Sequence, residues 1–242
     1  MKKLVLICFA GLALTASIAS AGGISLAWND CLGAGGASNR TFACDTNVGS
    51  NDLYVSFDPT LDKPDVNDCE AVIFLQSASF PLPAWWQFTN SGSCRVFSLA
   101  AALGPGSCVG PWSGSSQAVA AIAGYRVTAQ VPFLPLNGAL ILAETSIPDP
   151  GGVAVHPGTE YTAMVVRINN MRTVATTCTG CQDPVCLTLN EVDLLTVSSG
   201  DLRLANPLAH DCPSAPGTWV TWQGGPTPTI NRTWGQIKTL YR

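Results

Sequence analysis

The densest reactive chemistry in this 242-residue chain is its ten cysteines, and the tightest group is Cys178-Thr179-Gly180-Cys181 followed by Cys186. Three chemistries use such spacing. A C-x-x-C pair can close structural disulfides, exchange them as a redox dithiol, or hold zinc together with Cys186 and either His210 or Cys212. Redox use wants a helix N-terminus in a βαβ unit, which this stretch does not predict, and zinc wants a second C-x-x-C or a His pair, which is absent. Structural disulfides are therefore the favoured reading. Cys31 and Cys44 lie thirteen residues apart in a Gly/Ala/Ser/Asn-rich segment and are expected to form a local bridge. Two of Cys69, Cys94 and Cys108 are expected to pair, and Cys178, Cys181 and Cys186, with Cys212 beyond them, to pin a hairpin tip. The exported part of the chain holds nine cysteines, an odd number, so one stays free or bridges to another chain.

Carboxylates come next. The run Asp58, Asp62, Asp65, Asn67, Asp68 and Glu70 reads first as a solvated turn, yet oxygen ligands at this density also suit calcium at Asp58, Asp62, Asp65 and Asp68. The spacing matches no EF-hand loop and lacks its glycine. Glu144 with Glu160, or Glu191 with Asp193, are carboxylate pairs of the kind that hydrolyse sugars, although Glu191 and Asp193 are more simply the wet face of a strand. His156 and His210 are the only histidines, and no G-x-S-x-G turn or phosphate-cradling G-x-x-x-x-G-K-[ST] accompanies them. No cofactor is expected other than calcium, and the reading is non-catalytic. Trp85, Trp86 and Trp112 sit among prolines and glycines, where they either plug the end of a sandwich or form an exposed platform for sugar rings.

These residues need a scaffold, and the sequence describes it by period. Alternating or β-branched stretches between Gly, Pro, Asn and Asp predict strands at 53–57, 71–76, 95–99, 125–131, 140–144, 161–169, 187–197, 202–204 and 219–222. In 187–197 the apolar parity switches between Leu189 and Val192, as a bulge would produce. The Ala-rich residues 115–124 fit either a short glycine-capped helix or a loop and strand. Strands without interleaved long helices predict an all-β, two-layer antiparallel sandwich of jelly-roll or cohesin/Ig-like type, stapled by disulfides.

Composition agrees. Hydrophobic residues make up 47% of the chain and charged residues 12%, with 23 Gly and 17 Pro. That mix suits short strands and tight turns, because helices need charged wet faces. Residues 1–21 combine Lys2 and Lys3, an apolar run and Ala19-Ser20-Ala21, which read as a secretory signal peptide. Export to the cell exterior or the periplasm follows, and an oxidising compartment turns thiols into disulfides. Cys8 lies inside the apolar run, where it does not fit a lipid anchor. No later run is long enough to span a membrane. After cleavage ten basic residues face sixteen acidic ones, so nucleic acid is an unsuitable partner. The sandwich is expected over 22–222. Residues 223–242 then read as a Pro/Gly linker and a short helical tail, with Thr233-Trp234-Gly235-Gln236 as its capping box.

The segments Trp28-Asn29-Asp30-Cys31, Phe42-Ala43-Cys44-Asp45-Thr46-Asn47, Cys178-Thr179-Gly180-Cys181 with Pro184-Val185-Cys186-Leu187, and the ending Thr233-Trp234-Gly235 with Leu240-Tyr241-Arg242 resemble a set of uncharacterised secreted bacterial proteins. More loosely, 53–59 and 187–197 are similar to cohesin-like sandwiches, which implies binding of partner proteins. The functional expectation is a secreted, non-catalytic structural or protein-interaction module of the cell exterior that meets an extracellular protein. The alternative is a carbohydrate-binding module that grips glycan with Trp85, Trp86 and Trp112.

Overall fold

The computed structural model describes residues 23–88, 92–104, 106–127, 130, 134–148, 151–175, 177–206 and 217–224. The signal segment, His210, Cys212 and the proposed linker and tail beyond Gly224 lie outside these. About half of the chain is strand, and among the described residues no helix reaches seven residues. The strands are β1 (Gly23–Trp28), β2 (Asn39–Arg40), β3 (Ser50–Asp58), β4 (Lys63–Ser77), β5 (Leu99–Ala102), β6 (Val119–Val127), β7 (Gly138–Ser146), β8 (Val153–Val155), β9 (Tyr161–Asn169), β10 (Val185–Thr196), β11 (Leu202–Ala205) and β12 (Trp219–Trp222).

They build two packed sheets. The smaller is antiparallel in the order β1-β3-β9-β5, and the larger runs β2-β12-β10-β4-β7-β6, with β11 on β10 and β8 on β4. β9 falls where its apolar run predicts it, and all but two of its residues are buried because it lies between β3 and β5. The bulge in β10 is real: the register with β4 shifts between Leu189 and Glu191, which turns Val192 and Leu194 onto the core face.

Four elements differ from expectation. β1 was not predicted, although Ile24, Leu26 and Trp28 are buried on one parity. Residues 95–98 form a turn instead of a strand, because Arg95 is buried and Phe97 takes a left-handed φ of 63°. β4 starts at Lys63 and absorbs most of the acidic run. β6 covers 119–127, so the Ala-rich stretch supplies its first half.

One end of the sandwich is closed by aromatics. Phe42 stacks on Trp222 with ring centres 3.9 Å apart, Trp28 meets Phe42 edge-on at 5.0 Å, and Trp85 and Trp86 lie 5.0 and 5.2 Å from Trp222. Each buried indole N–H donates internally: Trp28 to the Thr221 carbonyl, Trp85 to Thr173 Oγ1, Trp86 to the Gly180 carbonyl and Trp222 to the Cys181 carbonyl. The rings supply apolar area, and their polar edges tie down the loops that bring them together.

Three disulfides hold the same loops: Cys31–Cys108, Cys44–Cys181 and Cys94–Cys178, with sequence separations of 77, 137 and 84 residues. Cys186 is also disulfide-bonded. The local Cys31–Cys44 bridge is not formed. β2 pairs with β12 in the larger sheet and carries Cys44 toward Cys181, while Cys31 follows β1 in the smaller sheet. Cys69 does not pair with Cys94 or Cys108 and is a buried free thiol, whose pKa is pushed up by that burial. In the chain-entropy view, closing loops of this length contributes about 4 to 5 kcal/mol apiece.

A non-reducing peptide map of the native protein is expected to recover those three cross-linked pairs, and a maleimide to reach Cys69 only after denaturation. Recovery of a Cys31–Cys44 peptide would contradict the fold. Trp222→Ala should cost about 3–5 kcal/mol in denaturant unfolding, whereas Val48→Ala, at a side chain 79% exposed, should change stability by less than about 0.5 kcal/mol.

Candidate functional site

The tryptophans expected to offer a platform are all inside. Trp85 and Trp86 occupy a 3₁₀ turn (Ala84–Trp86) and are fully buried, and Trp112 is 3% exposed in a second turn (Pro111–Gly114). A sugar-binding platform needs an open ring face, and these three do not present one to solvent. Their sequence context of prolines and glycines marks the plug.

The acidic run is dispersed by its own strand. Along a strand successive residues alternate sides and rise about 3.3 Å each, so carboxylates that look adjacent in sequence separate. Asp58 is buried and accepts the Gly158 N–H at 2.8 Å. Asp62 meets His156 Nδ1 at 2.7 Å on the surface. Asp65 Oδ2 accepts Ser198 N, Ser198 Oγ and Ser199 N at 2.7, 2.8 and 3.1 Å, which fixes the turn between β10 and β11. Asp68 lies mid-strand, where burial pushes its pKa up. These four carboxylates do not converge on a calcium site.

Among the described residues one trio has the spacing of a metal site, Cys31, Cys108 and Glu160, and its two sulfurs are joined in a disulfide. The Cys178, Cys181 and Cys186 sulfurs are likewise in disulfides, which removes the thiolates a zinc site would need. Glu160 is a fastener: it accepts from Ser25 Oγ at 2.8 Å, Ser56 Oγ at 2.5 Å and the Gly33 N–H at 2.7 Å. Asp30 does the same for Ser107, accepting its hydroxyl at 2.6 Å and its N–H at 2.9 Å, and those bonds hold its pKa below the ordinary value. Glu144 lies on β7 of the other sheet, so it does not form a pair with Glu160.

Two features were not foreseen. On the larger sheet the register sets Asp193 beside Glu70 and Glu70 beside Glu144, with Arg203 beyond Asp193. Like charges opposite one another weaken a ladder. Burial, with Glu191 close by, pushes the Asp193 pKa up to about 6, and Glu70 adds to the shift. Arg203 binds Glu191 and reaches Asp193 only at 3.9 Å.

The second feature is a cleft. β5 and β6 are the last strands of their respective sheets and run near each other without pairing, leaving a volume of about 550 Å³ between them. Small residues such as Ala100 on one side and Ala120 and Gly124 on the other line much of it, together with Tyr125 and the polar Arg126 and Gln130. Phe97 stands at the rim, 80% exposed. β6 carries no charged residue before Arg126. Alanines on both parities gave no hydropathy alternation, so periodicity could not reveal the strand or its open edge.

No protein-family model, curated protein or solved structure matches this chain.

Asp193 gives a pH test with a definite sign. Its folded pKa lies above the ordinary 3.8, so below that value both states are protonated and folding carries no penalty. As pH rises through about 6 the folded state must accept a charge it disfavours, and stability is lost. Asp193→Asn is expected to raise the melting temperature at pH 7 and leave it nearly unchanged at pH 3.5. Thermal scans at the two pH values check this, and an equal shift at both would contradict the electrostatic cause.

Proposed function

We propose that this protein is a secreted, non-catalytic interaction module of the cell exterior that takes an extended segment of a partner protein into the cleft between β5 and β6. The observation that carries this reading is the pair of neighbouring sheet edges, each with backbone N–H and C=O groups on its open side. An exposed, apolar edge strand is a template for another strand, and soluble proteins usually blunt such edges with charge, proline or a cover. Between Val119 and Tyr125 this edge carries no charge and no proline, and its protection is limited to a register shift between Ile122 and Gly124 and to Arg126 beside Gly124. An added strand would gain main-chain hydrogen bonds from the edge, and alternate side chains would fill the small-residue walls.

The rest of the molecule supports the reading. The amino-terminal signal pattern and the disulfides suit an oxidising exterior, and among the described residues no helix is long and apolar enough to cross a membrane. Of the two carboxylate pairs, Glu144 and Glu160 belong to different sheets, whereas Glu191 and Asp193 lie together with Glu70 on the larger sheet, where Arg203 binds Glu191. The glycan alternative loses its main support with the burial of Trp85 and Trp86.

The test is selection of binders from a displayed library of extended peptides, followed by amide exchange of the bound protein. Binders are expected to protect amides of 119–127 and 99–102. The double substitution Ala100→Lys with Ala121→Lys, both at exposed positions, should weaken them at least about tenfold without lowering the melting temperature. Binders that protect other segments, or that ignore the lysines, would overturn the proposal.

A further inference from the structure

Where the turn after β1, the β5–β6 connection and the start of β9 meet, the ligand atoms of Cys31, Cys108 and Glu160 lie within 4.8 Å of one another. Cys31 is fully buried, while Cys108 and Glu160 are half-buried, so the group can be reached from solvent. Glu160 Oε2 lies 3.5 Å from Cys108 Sγ. A tetrahedral zinc with Zn–S of about 2.3 Å and Zn–O of about 2.1 Å holds sulfur and oxygen about 3.6 Å apart. The contact already has the length of one edge of a zinc site. In the oxidised protein it gains nothing, because a disulfide sulfur carries no proton for the carboxylate to accept.

The carboxylate is aimed by its surroundings. Ser25 Oγ, Ser56 Oγ and the Gly33 N–H donate to it at 2.8, 2.5 and 2.7 Å, the kind of outer bonding that orients a metal ligand. The cysteine backbones are also held side by side without the sulfur bond. Asp30 Oδ1 accepts the N–H groups of Cys31 and Ser107, each at 2.9 Å, and its Oδ2 accepts the Ser107 hydroxyl at 2.6 Å. On the other flank the Thr162 N–H donates to the Val109 carbonyl at 2.9 Å. Both neighbours of Cys108 are thus fastened, so opening the disulfide leaves two thiols beside one carboxylate.

We propose that the reduced protein binds one zinc ion here, through the Cys31 and Cys108 thiolates and Glu160 Oε2, with water in the fourth position. An external dithiol supplies two electrons and two protons: the Cys31–Cys108 bond breaks, each sulfur takes a proton, and the reductant closes its own disulfide. Zinc then displaces both thiol protons to solvent. Two soft thiolates suit zinc, whereas calcium and magnesium take oxygen ligands. One junction is in this way clamped by a covalent bond when oxidised and by a metal when reduced. None of the three ligands lines the β5–β6 cleft, so each proposal can fail alone.

The experiment reduces the full chain with a resin-bound dithiol, removes the resin and titrates cobalt(II), a coloured stand-in for zinc. One equivalent is expected to bind with thiolate-to-cobalt absorption, zinc to displace it, and the unreduced chain to show no such band. Iodoacetamide labelling followed by peptide mapping should show zinc-dependent shielding at Cys31 and Cys108 and at no other cysteine. Glu160→Gln keeps an acceptor for the two serines, so the near-ultraviolet circular dichroism of its oxidised form should match the wild type, while its reduced form should bind cobalt at least about tenfold more weakly. Shielding at other cysteines, wild-type affinity in Glu160→Gln, equal binding by the unreduced chain, or no cobalt binding by the reduced chain, whether folded or unfolded, would each overturn the proposal.

Discussion

Arg95 is a fully buried cation that makes no ion pair among the described residues, and the closed end of the sandwich is arranged around it. Its guanidinium lies 3.8 Å over the Trp85 ring and 5.5 Å over Phe88. It donates to the carbonyls of Asn169 and Met171, each at 2.6 Å, and to Thr173 Oγ1 at 3.3 Å. Burial pushes its pKa down to about 9. Backbone dipoles and ring faces thus replace a carboxylate in stabilising the charge. Because those carbonyls belong to the chain leaving β9, one side chain fixes that loop, the Trp85 turn and its neighbour Cys94 together. The same turn projects Phe97 at the cleft rim, so the geometry of the β5–β6 cleft is inherited from a residue buried behind it.

Strands buried on one or both faces were legible because their side chains are large enough to carry a period. β9 and β12 fall on the predicted residues, and the parity switch in 187–197 marks the β10 bulge. β6 was not legible, since Ala120, Ala121 and Ala123 look alike on either face. Arg95–Ser98 misled for the opposite reason: Val96 and Phe97 have strand propensity, but a buried charge that needs several carbonyls imposes a turn. Tertiary demand overrode local preference there.

The site was less legible than the fold. Tryptophan beside proline identifies a plug or a platform, and only packing separates the two. The aspartates of 58–70 were grouped by sequence distance, yet five of the positions from Asp58 to Glu70 fall on different faces or ends of β3 and β4. Cysteine spacing likewise could not give the pairing: the Cys44–Cys181 bridge follows from β2 joining β12, whose paired residues Asn39 and Thr221 are 182 apart in sequence. What the sequence did carry was the all-β fold and its stapling by disulfides.

The long reach of the cross-links bears on how the molecule is made. A polypeptide leaves the ribosome amino end first, so Cys31 and Cys44 are exposed together well before Cys108 or Cys181 has been synthesised. The first bond open to them is the wrong one. Biogenesis therefore favours either delayed oxidation until the whole chain is present, or an isomerase that reshuffles an early, non-native loop. For this architecture the order in which thiols close matters to folding alongside the hydrophobic core.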